Sequence, residues 1–356
     1  MNFQRVYAIA ARKFSSLRRD KRMFGFIIIM PAIQILLFGI AIGQAPADLD
    51  FAVINEDSGD TGTLIIEYLE EGDAVNVHSE YENLASARKD IESGNLWGSL
   101  VITSNGTLEI LLDNSNQQVS NTIFVEVRNA MTSVMASQGS SLPLEISEPV
   151  YGQKDPAFID FLAPGIMTLV CFMFSLILTT MAFVGERYDG TLDRIFATGT
   201  TPSEVLLGHL AAFTTILVGQ VSVVILIARF GFDITIEGNV FLLFALGLLL
   251  GWAAMCFGLF VSSKAKSEFQ AVQMNMPVLF PVLLLSGILW PVEALPSWIQ
   301  PISWAMPTTW TAEGFRSIMI RGWGLSDSGI QTAFIFNILF ALFALFIASK
   351  SLKTRE

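Results

Sequence analysis

Histidine and cysteine are nearly absent from this chain. Its 356 residues hold two of each, His78 and His209, Cys171 and Cys256. Without a His-Glu-x-x-His or Cys-x-x-Cys pair, the sequence offers no metal or hydrolase centre, and no catalytic residue is assigned. Both cysteines fall inside apolar runs, so the polar part of the chain has no disulfide and must be stabilised by its own core. A Gly-x-x-x-x-Gly-Lys-Ser/Thr loop is missing as well, which predicts a chain that neither cradles nor hydrolyses ATP by itself. Charge is also scarce: 15% of residues are charged, against about 25% in soluble domains. A net charge of −11 argues against nucleic acid as a partner.

What fills the chain instead is apolar, at 52% of residues. Six stretches lack Asp, Glu, Lys and Arg: 23–47, 161–185, 205–228, 238–263, 269–292 and 328–349. Each exceeds the roughly 20 residues that cross a bilayer, so the fold class is a polytopic α-helical membrane protein with six transmembrane helices. A seventh charge-free stretch, 294–312, carries Pro296, Pro301 and Pro307. So many breakers are incompatible with a lipid-exposed helix, and the wider segment 293–327 reads as re-entrant or interfacial.

Arg5, Arg12, Lys13, Arg18, Arg19, Lys21 and Arg22 precede the first span, and Lys350, Lys353 and Arg355 follow the last. The positive-inside rule then puts both termini in the cytoplasm. Residues 1–22 alternate apolar and basic groups at helical spacing, as a helix lying along the inner leaflet does. The basic start and Ala45-Pro46-Ala47 look like a signal peptide, but the apolar run is too long for a cleavable one, which favours a retained anchor.

Residues 48–160 change composition and read as an inserted extracytoplasmic α/β domain with its linker. Strands are expected at 51–54, 74–78, 97–102 and 107–112, and helices from 62, over 83–93 and over 116–136. Asn105-Gly106-Thr107 is a glycosylation sequon, though an Asn-Gly hairpin turn explains the same residues. The domain is either a spacer or a site for substrate or an outer partner.

Between the second and third runs lies Gly185-Glu-Arg-Tyr-Asp-Gly-Thr-Leu-Asp-Arg-Ile-Phe, ending at Gly208-His209. Thr200 or Thr201 is placed to cap a helix, with Pro202 in its first turn and Glu204 favoured by the dipole. Leu192, Ile195 and Phe196 fall on one face of a short helix. Glu186, Arg187, Gly190, Thr191, Leu192 and Arg194 match a Glu-Arg-x-x-Gly-Thr-Leu-x-Arg pattern, and here the chain resembles the ABC-2 family of exporter membrane subunits. Ala163-Pro164-Gly165, Ser286-Gly287 with Pro291, Leu295-Pro296-Ser297-Trp298, Pro307-Thr308, and Glu313 with Arg316 are similar to family segments too.

That resemblance implies a permease that exports a hydrophobic or amphipathic substrate such as a drug, lipid or glycoconjugate. It implies two copies of a separate ATPase subunit carrying ATP and Mg, no cofactor on this chain, and a second permease chain in a homodimer. The setting it implies is a prokaryotic plasma membrane. It casts Glu186, Arg187, Gly190, Thr191, Leu192, Arg194, Ile195, Phe196 and Pro202 as the coupling segment that docks on the ATPase. Pro291, Pro296, Trp298, Pro307, Trp310, Glu313 and Arg316 become an outer gate, although Trp298, Trp304 and Trp310 equally suit interfacial anchors. The family often has Gly-Lys where this chain has Gly208-His209, which puts a fixed charge there in doubt. Lys264, Lys266 and Glu268 mark topology. The competing readings are a receptor or scaffold with a ligand-binding outer domain, an ion-extruding permease of the same family, and an ion-driven transporter.

Overall fold

The computed structural model describes residues 2–19, 21–42, 46–56, 60–81, 83–103, 107–137, 149–152 and 158–353. The expected Asn105-Gly106 turn, positions 57–59 of the first turn and most of the 137–158 linker lie outside these residues. The chain divides into two compact units, Met1–Gly43 with Val150–Glu356, and Gln44–Pro149.

In the smaller unit, β1 (Leu49–Asn55), β2 (Val75–His78), β3 (Gly98–Ile102) and β4 (Leu108–Leu112) form one sheet in the order β2-β1-β3-β4. The β1 strand runs parallel to β2 and β3, and β4 returns antiparallel to β3. Parallel neighbours need crossovers, and the helices Asp60–Glu71 and Leu84–Glu92 supply them. Because strand side chains alternate between faces, Phe51 and Val53 pack with Ile65, Leu69 and Ile123, whereas Ala52 and Ile54 pack with Ala87 and Leu96 on the other side.

The larger unit is helical: α1 (Phe3–Arg19), α2 (Lys21–Ile42), then, numbering on past the smaller unit's helices α3 (Asp60–Glu71), α4 (Leu84–Glu92) and α5 (Gln117–Ser137), α6 (Phe158–Tyr188), α7 (Thr191–Ala197), α8 (Pro202–Leu226), α9 (Val240–Lys264), α10 (Glu268–Leu285), α11 (Gln300–Trp304), α12 (Pro307–Met319) and α13 (Ser328–Lys353). Among the described residues five helices are long and apolar enough to cross a membrane, within 159–188, 202–231, 240–264, 268–285 and 328–351, and a shorter apolar run, Ile28–Ile40, lies in α2. The hub is α6. It is 83% buried across its apolar window, against 17% for α10 and 22% for α13, and it packs on α9, α12, α2 and α10. The outer faces of α10 and α13 therefore meet something other than this chain's core. Gly247 and Gly251 of α9 face Val221 and Leu217 of α8, a close helix approach that small residues permit.

Three helix boundaries differ from those of the charge-free runs. The second helix begins before 161, since α6 starts at Phe158 and Pro164 lies inside it. The fifth run does not stay helical to 292. It stops at Leu285, where Ser286 leaves helical geometry and Gly287 takes a left-handed φ of 70°, which favours glycine. The third run ends in a π-helical turn, Ile227–Gly231. The turn spans the point where the charge-free run gives way to Arg229.

Candidate functional site

At its C-terminal end α6 leads through Gly190, which has a left-handed φ of 64°, into α7. Thr201 then caps α8 in a reciprocal box with Glu204, and Pro202 occupies the first turn. Glu204 also accepts hydrogen bonds from the backbone N–H of Asn2 at 2.6 Å and of Thr201 at 3.0 Å. Arg5 donates to Gly199 O at 2.6 Å. The start of α1 is thus bound to the start of α8. Gly208 lets the two helices close up, since a Cβ there would lie 2.7 Å from Ile9 Cβ.

This approach brings Lys13 of α1 to the end of α6. Lys13 Nζ donates to Glu186 Oε1 at 2.6 Å, and His209 Nε2 lies 2.7 Å from Glu186 Oε2. All three side chains are buried. A buried carboxylate is tolerated only when paired and hydrogen-bonded, and losing one partner of such a group costs about 3–5 kcal/mol. The junction therefore fastens α1, α6 and α8 together. Glu186 and Arg187 do not pair with each other: Arg187 Nη1 donates to Ser262 O at 3.0 Å and Ala265 O at 3.1 Å, at the end of α9. The sequence pattern did not indicate Lys13, and only the Gly208-His209 departure pointed toward His209.

The apolar face of α7 is turned inward. Leu192 and Ile195 are buried with Ile9, Phe183, Val205 and Leu259, and Phe196 packs on the edge of that cluster. Within this chain α1, α6, α8 and α9 cover Leu192 and Ile195, while Phe196 is half-buried. The surface that α7 and its flanks expose carries Tyr188, Asp189, Asp193, Arg194 and Ala197, with Tyr188 82% exposed and Thr191 half-buried.

A second constellation sits at the other end of α6. Phe161 and Glu186 are 25 positions apart on this helix, roughly 38 Å of axis at 1.5 Å per residue. Phe161, Gly287, Pro291, Glu313, Arg316 and Arg321 are among the residues lining a cavity of about 420 Å³ there. Arg316 donates to Glu313 Oε2 at 2.9 Å and to Gly287 O at 3.0 Å, and its guanidinium lies 4.9 Å from the centre of the Phe161 ring. Arg321 donates to Glu313 Oε1 at 2.6 Å and Ser317 Oγ at 2.8 Å. Glu313 thus has the partner expected three residues on and a second that the pattern missed. Its side chain is 37% exposed and faces a cavity that charged and apolar side chains line together.

Pro307 opens α12, and Trp310 Nε1 donates to Trp304 O at 2.8 Å with the two rings 4.9 Å apart. Pro296 O accepts from Ile299 N at 2.9 Å, holding the turn before α11. Trp298 stands apart, 74% exposed. No group of three or more His, Cys, Asp or Glu side chains able to hold a metal occurs among the described residues.

Long apolar helices around one central helix, with ionic groups gathered at its two ends, define a multi-pass membrane protein. The family described as ABC-2 family transporter protein matches residues 21–350, and the chain belongs to it. It is similar to "ABC transporter G family member 20" of Dictyostelium discoideum, 33% identical across 98% of this chain and 50% of that protein. Member 23 of the same organism is 31% identical across 99% of this chain and 53% of its own length. "Probable multidrug ABC transporter permease YbhR" of Escherichia coli (strain K12) is 21% identical across 86% of this chain and 87% of that protein. The chain spans about half the length of the two Dictyostelium relatives.

Proposed function

We propose that this chain is the permease of an ATP-driven exporter, six spans with both termini in the cytoplasm, working as a homodimer with two separate ATPase subunits. It moves a hydrophobic or amphipathic cargo outward across a plasma membrane, with residues 48–160 on the outer side. The name of the Escherichia coli relative, a probable multidrug permease, agrees with such a cargo. The observation that carries the reading is the buried Lys13–Glu186–His209 junction directly behind α7. A segment backed so firmly transmits a push from a docked motor into α6 instead of yielding to it. The motor is read as docking on the exposed Tyr188, Asp193, Arg194 and Ala197, with Gly190 and Pro202 setting the ends of the segment. At the far end of α6, aromatic rings beside Glu313, Arg316 and Arg321 suit cargo that has an apolar body and a polar head, and Pro291, Pro296, Pro307 and Trp310 shape that gate. ATP and Mg belong to the partner.

The test is transport by inverted vesicles holding the chain and its ATPase. ATP-dependent accumulation of a lipophilic dye that is abolished by Glu186→Ala at matched abundance supports the reading. Accumulation unchanged by that substitution, or independent of ATP, overturns it.

A further inference from the structure

Arg321 stands just past the end of α12 with its guanidinium held in place from two directions. It lies over the Trp323 ring, 4.8 Å from the ring centre, and Tyr151 packs edge-on against the same indole at 6.4 Å. A single nitrogen, Nη1, donates to both Glu313 Oε1 and Ser317 Oγ, and Nε and Nη2 have no partner among the described residues. Those N–H groups lie along one edge of the planar fork, at the spacing that receives a carboxylate or phosphate bidentately. A ring stacked on the face leaves that edge uncovered. The side chain is 31% exposed and lines the cavity of about 420 Å³ at the Phe161 end of α6, so the edge is open to a ligand.

Arg316 is committed elsewhere. Its Nη1 goes to Glu313 Oε2 and its Nη2 to Gly287 O, its Nε is buried, and its face is held against Phe161. What it adds to the cavity is charge. One carboxylate serves two guanidiniums, so Glu313, Arg316 and Arg321 together hold one positive charge in excess. The cavity's other carboxylate, Glu293 on the turn Val292–Ala294, is exposed and forms no ion pair among the described residues. By like-charge repulsion it opposes a second negative charge beside the first. Phe161, Pro291, Val292 and Trp304 supply apolar wall around these groups.

We propose that this cavity binds an amphiphile through a singly charged anionic head, a carboxylate, sulfonate or phosphodiester. The Nε–Nη2 edge of Arg321 grips the head, and the aromatic wall takes the start of the tail. Arg321 thus sets the sign of charge that the site accepts. That the amphiphile is cargo rests on the export reading above; the binding does not.

Photolabelling of the full chain in phosphatidylcholine nanodiscs tests this, with diazirine-bearing decanesulfonate and decyltrimethylammonium as probes. Both partition into lipid and label the exposed faces of α10 and α13, which serve as the internal reference. At the cavity, mapped by peptide mass spectrometry, the sulfonate should label about tenfold more than the ammonium, the scale of one charge-assisted bidentate contact. Arg321→Gln should remove that excess. Arg321→Lys, which keeps the charge without the fork, should lose most of it, and Glu293→Gln should raise it. Equal labelling by the two probes overturns the proposal, as does an excess that survives Arg321→Gln while α10 and α13 label as in the wild type. Full displacement by millimolar methanesulfonate also overturns it, because a small soluble anion would then suffice. Phosphatidylglycerol added to the nanodisc separates the sources of the head: suppressed labelling assigns it to a leaflet lipid, persistent labelling to a free amphiphilic acid, and either result supports the site. Selective labelling without ATP-driven accumulation in vesicles sinks the export reading and leaves the site standing. Accumulation without selective labelling removes the site alone.

Discussion

Arg321 reaches back eight positions, past the end of α12, to hold Glu313 Oε1 at 2.6 Å. Glu313 is thereby shared between two arginines, and removing it takes the only counter-charge given to either, leaving Arg316 on Gly287 O and Arg321 on Ser317 Oγ. We expect Glu313→Ala to lower transport about tenfold, in line with the roughly 1.4 kcal/mol per decade that a modest charge-assisted contact supplies. Trp298→Ala should change it less than twofold, since that ring touches little of the cavity. Vesicle assays at matched membrane abundance decide the matter, and equal losses would assign the gate to the aromatic rim.

Leu192→Ser and Ile195→Ser should destabilise the permease itself. Each takes a buried side chain from the α1–α7–α8 cluster, worth about 1.5–3 kcal/mol. Tyr188→Ala should leave the melting temperature unchanged and weaken ATPase binding, because its ring is exposed. Differential scanning fluorimetry beside co-purification separates the two, and a melting loss for Tyr188→Ala with normal ATPase recovery would reverse the assignment.

Arg187→Ala should loosen the end of α9, since two of its hydrogen bonds go to Ser262 and Ala265. Hydrogen exchange is the suitable measurement. Faster exchange over 261–268 is the expected pattern, while unchanged exchange there would overturn it.

Residues 44–149, with cores on both faces of their sheet, should unfold cooperatively when produced alone. The hydrogen bond from His78, aided by Asn76, holds the Asp50 carboxyl below its ordinary value of 3.8. A carboxylate depressed in the folded state stabilises above its unfolded value, and that contribution is lost as pH falls through the folded one. Denaturant midpoints should therefore drop below about pH 3.8, and Asp50→Asn should flatten the decline. An identical acid slope in the variant would assign it to other carboxylates.

Much of this molecule was legible in its sequence because local rules governed it. Apolar runs between turn signals placed β1 and β3 within a residue or two, Asn83 and Thr201 marked helix starts, and the resemblance singled out Glu313 with Arg316. What escaped required the third dimension. Lys13 and Glu186 are 173 residues apart in sequence, and no periodicity joins them. The inward turn of Leu192 and Ile195 was hidden because an apolar face at helical spacing reads the same whether a partner subunit or the chain's own α1 covers it. The break at Ser286 fell within a charge-free run, where composition stays apolar while the backbone turns.

The 31 residues of α6 form one rod from the charged cavity to the ionic junction. A helix transmits displacement along its axis far better than it transmits bending, because its backbone hydrogen bonds lie nearly parallel to that axis. An advance imposed at Glu186 would be carried along this rod toward Phe161, beneath the Arg316 guanidinium. The two ends of this permease, though remote, share a single mechanical coordinate.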